Sequence, residues 1–181
     1  MSQSGFEMVR YADDFVILCR TPAAASQALD LVRQWVSDHD LTLHPTKTRL
    51  VQARTESFDF LGDRFEGGRH GPRPPSLKKF KDKVRSLTKR THGDSLPRII
   101  TVLNRALRGW FADFQHSPGW LFVCPDGWIR HWLRTILRRR DHRRGPGRGW
   151  DHRRWPNAFF ADQGLFRLAR AHALARQSSW R

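Results

Sequence analysis

Tyr11-Ala12-Asp13-Asp14 lies between two stretches suited to β-structure, and a hairpin is the arrangement that accommodates all three. Phe15-Val16-Ile17-Leu18-Cys19 is an unbroken β-branched and aliphatic run, the composition of a buried strand. Phe6-Glu7-Met8-Val9-Arg10-Tyr11 alternates apolar with polar, as a half-buried strand does. Joined by Ala-Asp-Asp, the two predict a tight hairpin with two carboxylates at its tip. Adjacent acids repel unless a cation lies beside them, and hard divalent ions take oxygen ligands. In two-metal phosphoryl transfer such ions stand roughly 3.5–4 Å apart and stabilise both the attacking and the leaving oxygen. Aspartate is also a common turn residue, so these four residues alone fit a plain turn equally well.

Length and composition bound the alternatives. The 181 residues suffice for one domain or two small ones, and 39% hydrophobic with 28% charged residues is a globular composition that can bury a core. No apolar run approaches a membrane span and no signal-peptide pattern opens the chain, so a membrane is not expected as a partner. Cys19 and Cys124 lie in apolar surroundings without paired spacing, which points to a reducing, cytoplasmic setting rather than a disulfide framework or zinc knuckle. His142 and His152 sit in a repeated Asp-His-Arg-Arg, but no third ligand accompanies them at a usual metal spacing. Nor is there a Cys/His cluster of the kind a DNA-cleaving domain would need.

Charge is the most uneven property of the chain. Residues 1–62 hold 6 Lys and Arg against 8 Asp and Glu; residues 63–181 hold 27 against 9. A basic two-thirds with a net charge of +18 implies a polyanionic partner. Its cations share helices with aromatic and aliphatic residues spaced for core packing, which favours a folded nucleic-acid-binding surface over attraction to phospholipid.

Helical signals divide the chain. Thr21-Pro22 reads as an N-cap followed by proline at the first helical position, and Ala25, Ala28, Leu29, Val32, Trp35 and Val36 follow as one apolar stripe. Leu41-Thr42-Leu43, Leu50-Val51 and Phe58-Asp59-Phe60-Leu61-Gly62 read as short strands. Gly67-Gly68-Arg69-His70-Gly71-Pro72-Arg73-Pro74-Pro75 reads as a linker. Beyond it, Ser76 is expected to cap a helix with Leu77, Phe80, Val84 and Leu87 inward, and Ser95 a second with Ile99, Ile100, Leu103, Leu107, Trp110, Phe111 and Phe114 inward. A third is expected from about Asp126 to Arg140, and a final helical segment after Trp155-Pro156-Asn157. The expected class is α+β: an N-terminal hairpin, helix and strand region over residues 1–66, a linker at 67–75, and an all-α region over 76–181.

Four stretches in this order resemble the C-terminal half of the group II intron reverse transcriptase/maturase family. They are Arg10-Tyr-Ala-Asp-Asp-Phe-Val-Ile-Leu18, Leu41-Thr-Leu-His-Pro-Thr-Lys-Thr48, Phe58-Asp-Phe-Leu-Gly62 and Leu103-Asn-Arg-Ala-Leu-Arg-Gly-Trp-Phe111, followed by Gly164-Leu165-Phe166. Singly most are weak; in this order and spacing they are specific, and they span nearly the whole chain.

The resemblance implies that residues 1–66 are part of a polymerase palm and that residues 76–181 are thumb and maturase-specific region. It makes Asp13 a catalytic metal ligand with Asp14 beside it, holding Mg2+ in a two-metal site. Tyr11 and Ala12 would lie near the incoming nucleotide or primer end. Lys47 would serve as a catalytic cation near the nucleotide phosphates, where it favours pyrophosphate departure. Phe60, Leu61 and Gly62 would position the primer strand. Two departures stand out: Asp63 replaces the usual aromatic or apolar residue after Phe-Leu-Gly, and Asn104-Arg105 replaces the usual Asn-Pro. In such an enzyme a third aspartate and the fingers precede the acidic turn, where this chain has only ten residues. The expectation is therefore a fragment that does not polymerise alone, with a complementing N-terminal reverse-transcriptase fragment and a DNA primer or target as further partners.

RNA binding does not need those parts. Lys78, Lys79, Lys81, Lys83, Arg105, Arg108, Arg138, Arg139 and Arg140 are the expected contacts to the backbone of group II intron RNA, with splicing assistance as the outcome. Two other readings are a stand-alone maturase module that never copies RNA, and a general basic nucleic-acid-binding protein indifferent to RNA structure.

Overall fold

A computed structural model describes residues 5–89, 93–143, 145 and 149–178, and the chain divides into two compact units, 1–68 and 69–181. In the first unit, β1 (Glu7–Tyr11) and β2 (Asp14–Leu18) pair antiparallel, with Tyr11 opposite Asp14 and Glu7 opposite Leu18. Helix α1 (Pro22–Asp38) starts where Thr21 Oγ1 accepts from the Ala24 N–H at 3.2 Å, with Pro22 in its first turn. Its buried residues, Ala28 and Val32, belong to the stripe expected from spacing. Strands β3 (Phe58–Phe60) and β4 (Asp63–Glu66) form a second antiparallel hairpin, in which the Phe58 and Phe65 rings stack at 4.9 Å and Arg64 pairs with Asp59 at 3.0 Å.

Leu41–Leu43 and Leu50–Val51 are not strands, contrary to expectation. The chain there closes on itself: the N–H groups of Lys47 and Thr48 bond to the His44 carbonyl, and those of Thr55 and Glu56 to that of Gln52. Backbone groups satisfied in local turns have no need of a sheet partner.

The second unit begins with β5 (Arg69–Pro72) and continues as helices α2 (Pro74–Leu87), α3 (Leu96–Phe114), α4 (Trp120–Arg140), α5 (Gly149–Arg154), α6 (Asn157–Asp162) and α7 (Leu168–Ser178). The stretch expected as a linker thus contains a strand and a helix start. Pro74 and Pro75 occupy the first turn of α2, where a missing N–H costs nothing, so Arg73 and not Ser76 is the N-cap. Helix α4 starts six residues earlier than Asp126, with Pro125 inside it. Phe122 is fully buried there, and packing of that first turn outweighs the backbone bond the proline removes. Helix α3 runs unbroken through Asn104-Arg105, as expected of a chain lacking the proline.

One core joins these helices, drawn from Phe80 and Val84 of α2, Ile100, Leu103 and Leu107 of α3, Phe122, Ile129 and Leu133 of α4, and Phe160, Leu165 and Leu168 beyond. Trp110 centres its aromatic part, stacked on Phe80 at 4.3 Å and edge-on to Phe122 at 5.8 Å. Polar staples close the unit. The Asn104 side chain donates to the Gly164 carbonyl and accepts from the Phe166 N–H, each at 2.7 Å, so one amide satisfies two loop groups. Leaving such groups unpaired costs about 1–3 kcal/mol each.

The Asp126 carboxylate accepts from Leu168 N–H at 2.9 Å and Ala169 N–H at 3.1 Å, capping α7 from a neighbouring helix. Burial raises its pKa above the ordinary 3.8, opposed by those two bonds and by Arg130 and Arg167. A raised folded value means that the protonated form is favoured in the fold. The contribution is full below 3.8 and declines as pH rises through the folded value. The stability difference between wild type and Asp126→Asn, measured by urea unfolding across acidic pH, should accordingly shift in favour of the variant as pH rises above 3.8. A pH-independent difference would show that the carboxylate does not carry the buried charge assigned to it.

Candidate functional site

The acidic turn is tighter than its sequence suggests. Only Ala12 and Asp13 lie between the strands, and Asp14 is already the first residue of β2. Ala12 has φ 52° and is the one turn residue with positive φ, the sign pattern of a II′ hairpin, whose first position normally takes glycine. Arg10 Nε donates to the Ala12 carbonyl at 2.8 Å and braces the turn. Asp13 and Asp14 are both exposed, and among the described residues neither forms an ion pair nor joins a third Asp, Glu, His or Cys in a metal-holding group. Two carboxylates on consecutive residues at a hairpin tip are hard oxygen donors of the kind Mg2+ takes, so these residues fit the ion. Tyr11, 67% exposed, ends β1 beside them.

The second hairpin tip is also strained. Leu61 and Gly62 both have positive φ, 49° and 90°, the pattern of a I′ turn, which favours Asn-Gly. A bulky residue held left-handed costs roughly 1–2 kcal/mol. Leu61 nevertheless occupies that position with half its side chain in water, while Phe60 and Gly62 are half-buried. Backbone strain of this sort costs stability that the exposed tip does not recover through burial. Lys47 is exposed in the turn that follows Pro45.

In the second unit the expected cationic contacts fall into two groups. Lys78, Lys79, Lys81, Lys83, Arg105, Arg108, Arg139 and Arg140 are exposed. Arg108 lies over the Phe166 ring at 4.9 Å, so it is held in place while remaining open to solvent. On α2 the lysines surround the arc opposite Phe80 and Val84, where Asp82 is already engaged by Arg85 at 2.8 Å. Arg138 differs: it is half-buried, and its Nη1 meets the wholly buried Asp151 at 2.7 Å, whereas the exposed Arg140 also donates to the Asp94 carbonyl.

Sequence reasoning did not anticipate Asn104 as a staple, Asp126 as a cap for another helix, or the buried partners of Arg134 and Arg138. Arg134 Nε donates to the Trp155 carbonyl at 2.9 Å and Nη2 to Asn157 Oδ1 at 2.8 Å. Burial, then the neighbouring Arg130, lowers its pKa, and Asp151 opposes. The available signal was spacing: Asp126, Arg130, Arg134 and Arg138 recur every four residues on one helix.

Comparison with known families agrees with this division. Residues 1–65 match the family model for reverse transcriptase (RNA-dependent DNA polymerase), and residues 77–156 match that for the group II intron maturase-specific domain. Among curated proteins, no match to the chain was found.

If Leu61 is kept left-handed for contact, Leu61→Asn should stabilise the hairpin by about 0.5–1 kcal/mol, because asparagine tolerates the conformation. The same substitution should weaken association with a primer strand. Denaturant unfolding and primer binding measured together check this, and a destabilised variant would contradict it.

Proposed function

The chain belongs to the group II intron reverse transcriptase/maturase family, and we propose that its second unit grips folded intron RNA through the lysines of α2 and the arginines of α3. The observation that carries this reading is a set of exposed cations on a folded unit, residues 69–181, that holds 26 Lys and Arg against 7 Asp and Glu, a net charge of +19. No helix among the described residues is long and apolar enough to cross a membrane. With both cysteines free, a reducing cytoplasmic setting suits the chain. Arg138 belongs to the scaffold in this reading, leaving Arg139 and Arg140 as the exposed cations of that run. Structured RNA is favoured over duplex DNA because the matched family acts on introns and no recognition-helix pattern is present.

Enzymes of the reverse transcriptase family generally use Mg2+. Asp13 and Asp14 would hold it, and when bound there it supplies positive charge to phosphoryl oxygens. Lys47 would place its ammonium near a departing pyrophosphate, and Tyr11 and Leu61 would border the nucleotide and primer. We further infer that a polypeptide carrying the remaining palm strands and the fingers completes this site, since every residue of β1 is exposed and Met8, Val9 and Leu18 leave apolar surface open on the hairpin.

Each phosphate neutralised contributes roughly 0.7–0.9 to the log–log dependence of affinity on salt. Replacing Lys78, Lys79, Lys81 and Lys83 together by Gln should reduce that slope for intron RNA by about 3. An unchanged slope would place the contacts elsewhere, and equal affinity for unstructured polyanions would favour a general basic binder. Primer extension should appear on adding an N-terminal fragment of a related enzyme and vanish with Asp13→Asn; synthesis indifferent to Asp13 would contradict the assignment.

A further inference from the structure

Helix α5 carries one acid, Asp151, and that acid is wholly buried against Arg138. What the helix shows to water is therefore aromatic and cationic: Trp150, His152, Arg153 and Arg154. Trp150 is 63% exposed, whereas Trp155 a few residues on is buried in the core. Trp150, Arg153 and Arg154 are spaced i, i+3 and i+4 and share one face of the helix. Arg154 is occupied by an ion pair with Asp141 and by the Trp155 ring at 4.8 Å. Arg153 has no ion-pair or hydrogen-bond partner for its side chain among the described residues.

Two ion pairs support this face. Arg138–Asp151 and Arg154–Asp141 both tie α5 to the C-terminal end of α4, so the indole stands on an anchored helix. An exposed indole beside an uncommitted guanidinium, with no exposed acid on the helix, complements a flat aromatic group joined to a negative charge. A nucleobase and its phosphate have that chemistry, whereas a fully paired RNA helix hides its base faces.

We propose that Trp150 stacks on an unpaired base of the bound RNA while Arg153 takes an adjoining phosphate. This rests on the RNA-binding reading above and adds to it a site that selects loops and bulges. Arg153 contributes charge, and Trp150 contributes stacking that salt does not screen.

The test compares the full chain with Trp150→Ala, Trp150→Phe and Arg153→Gln on a stem-loop RNA and on a fully paired RNA of equal length. Stacking lost at one base predicts a fall of roughly 5- to 150-fold on the stem-loop for Trp150→Ala, with little change on the paired RNA. The salt slope should stay constant for Trp150→Ala, and Trp150→Phe should recover most of the affinity. Arg153→Gln should lower the slope by about 0.7–0.9. Equal loss on both RNAs, or no loss on the stem-loop, overturns the stacking site while leaving RNA binding in place. Wild-type protein that binds neither RNA removes the broader reading, and the stacking site with it. Trp150-dependent sedimentation with phosphatidylserine vesicles, without Trp150-dependent RNA binding, assigns the face to a membrane and also overturns the proposal.

Discussion

Helix α4 organises the second unit because its polar residues recur every four positions and are turned inward to other segments. Asp126 receives the first N–H groups of α7, Arg134 holds the chain entering α6, and Arg138 anchors α5 through Asp151. Arg130, between them, is drawn to Asp126 and repelled by Arg167. Helices as short as α5 and α6 do not persist unaided in water, so their place depends on these contacts and on the core beneath. Removing one member of a buried ion pair costs about 3–5 kcal/mol, mostly by leaving the other charge stranded. The Arg138–Asp151 pair is therefore a constraint on where α5 can stand.

That inward commitment sorts the cations of a very basic chain. Arg134 and Arg138 on α4 satisfy a backbone carbonyl and a buried acid, while the lysines of α2 and the arginines of α3 point to solvent. Net charge alone does not distinguish these roles. The division explains how a unit so positive keeps a tightly packed aromatic core and still offers a surface to a polyanion. It also separates substitutions that would unfold the unit from those that would only weaken its hold on RNA.

The first unit has a different character. Its two hairpins each place a non-glycine residue in the left-handed region at the tip, and its strands leave apolar side chains in water. Local strain combined with sparse burial is typical of elements that acquire their final rigidity from a partner or ligand. In the function proposed above, the acidic turn and the Leu61 tip are where a metal ion and a primer strand would bear on the chain.

Most of the helical architecture was legible in the sequence, because apolar spacing in α1, α2 and α3 is regular and Thr21-Pro22 is a clear start signal. Leu41–Leu43 was misjudged because a short apolar run cannot announce whether a partner strand exists, and local turns satisfied its neighbours instead. The start of α4 was missed because Pro125 reads as a breaker, yet Phe122 packing holds the earlier turn. Arg138 was read as surface charge because its partner, Asp151, lies thirteen residues away in a loop-like stretch. The account's central claim is that outward lysines hold RNA while inward arginines hold the fold. Residue-specific chemical labelling of Lys and Arg, with and without intron RNA, tests it most directly. Lys78, Lys79, Lys81 and Lys83 should lose reactivity on binding, while Arg134 and Arg138 should be unreactive in both states. RNA bound with the α2 lysines still fully reactive, or Arg138 labelled freely in the unbound chain, would contradict it.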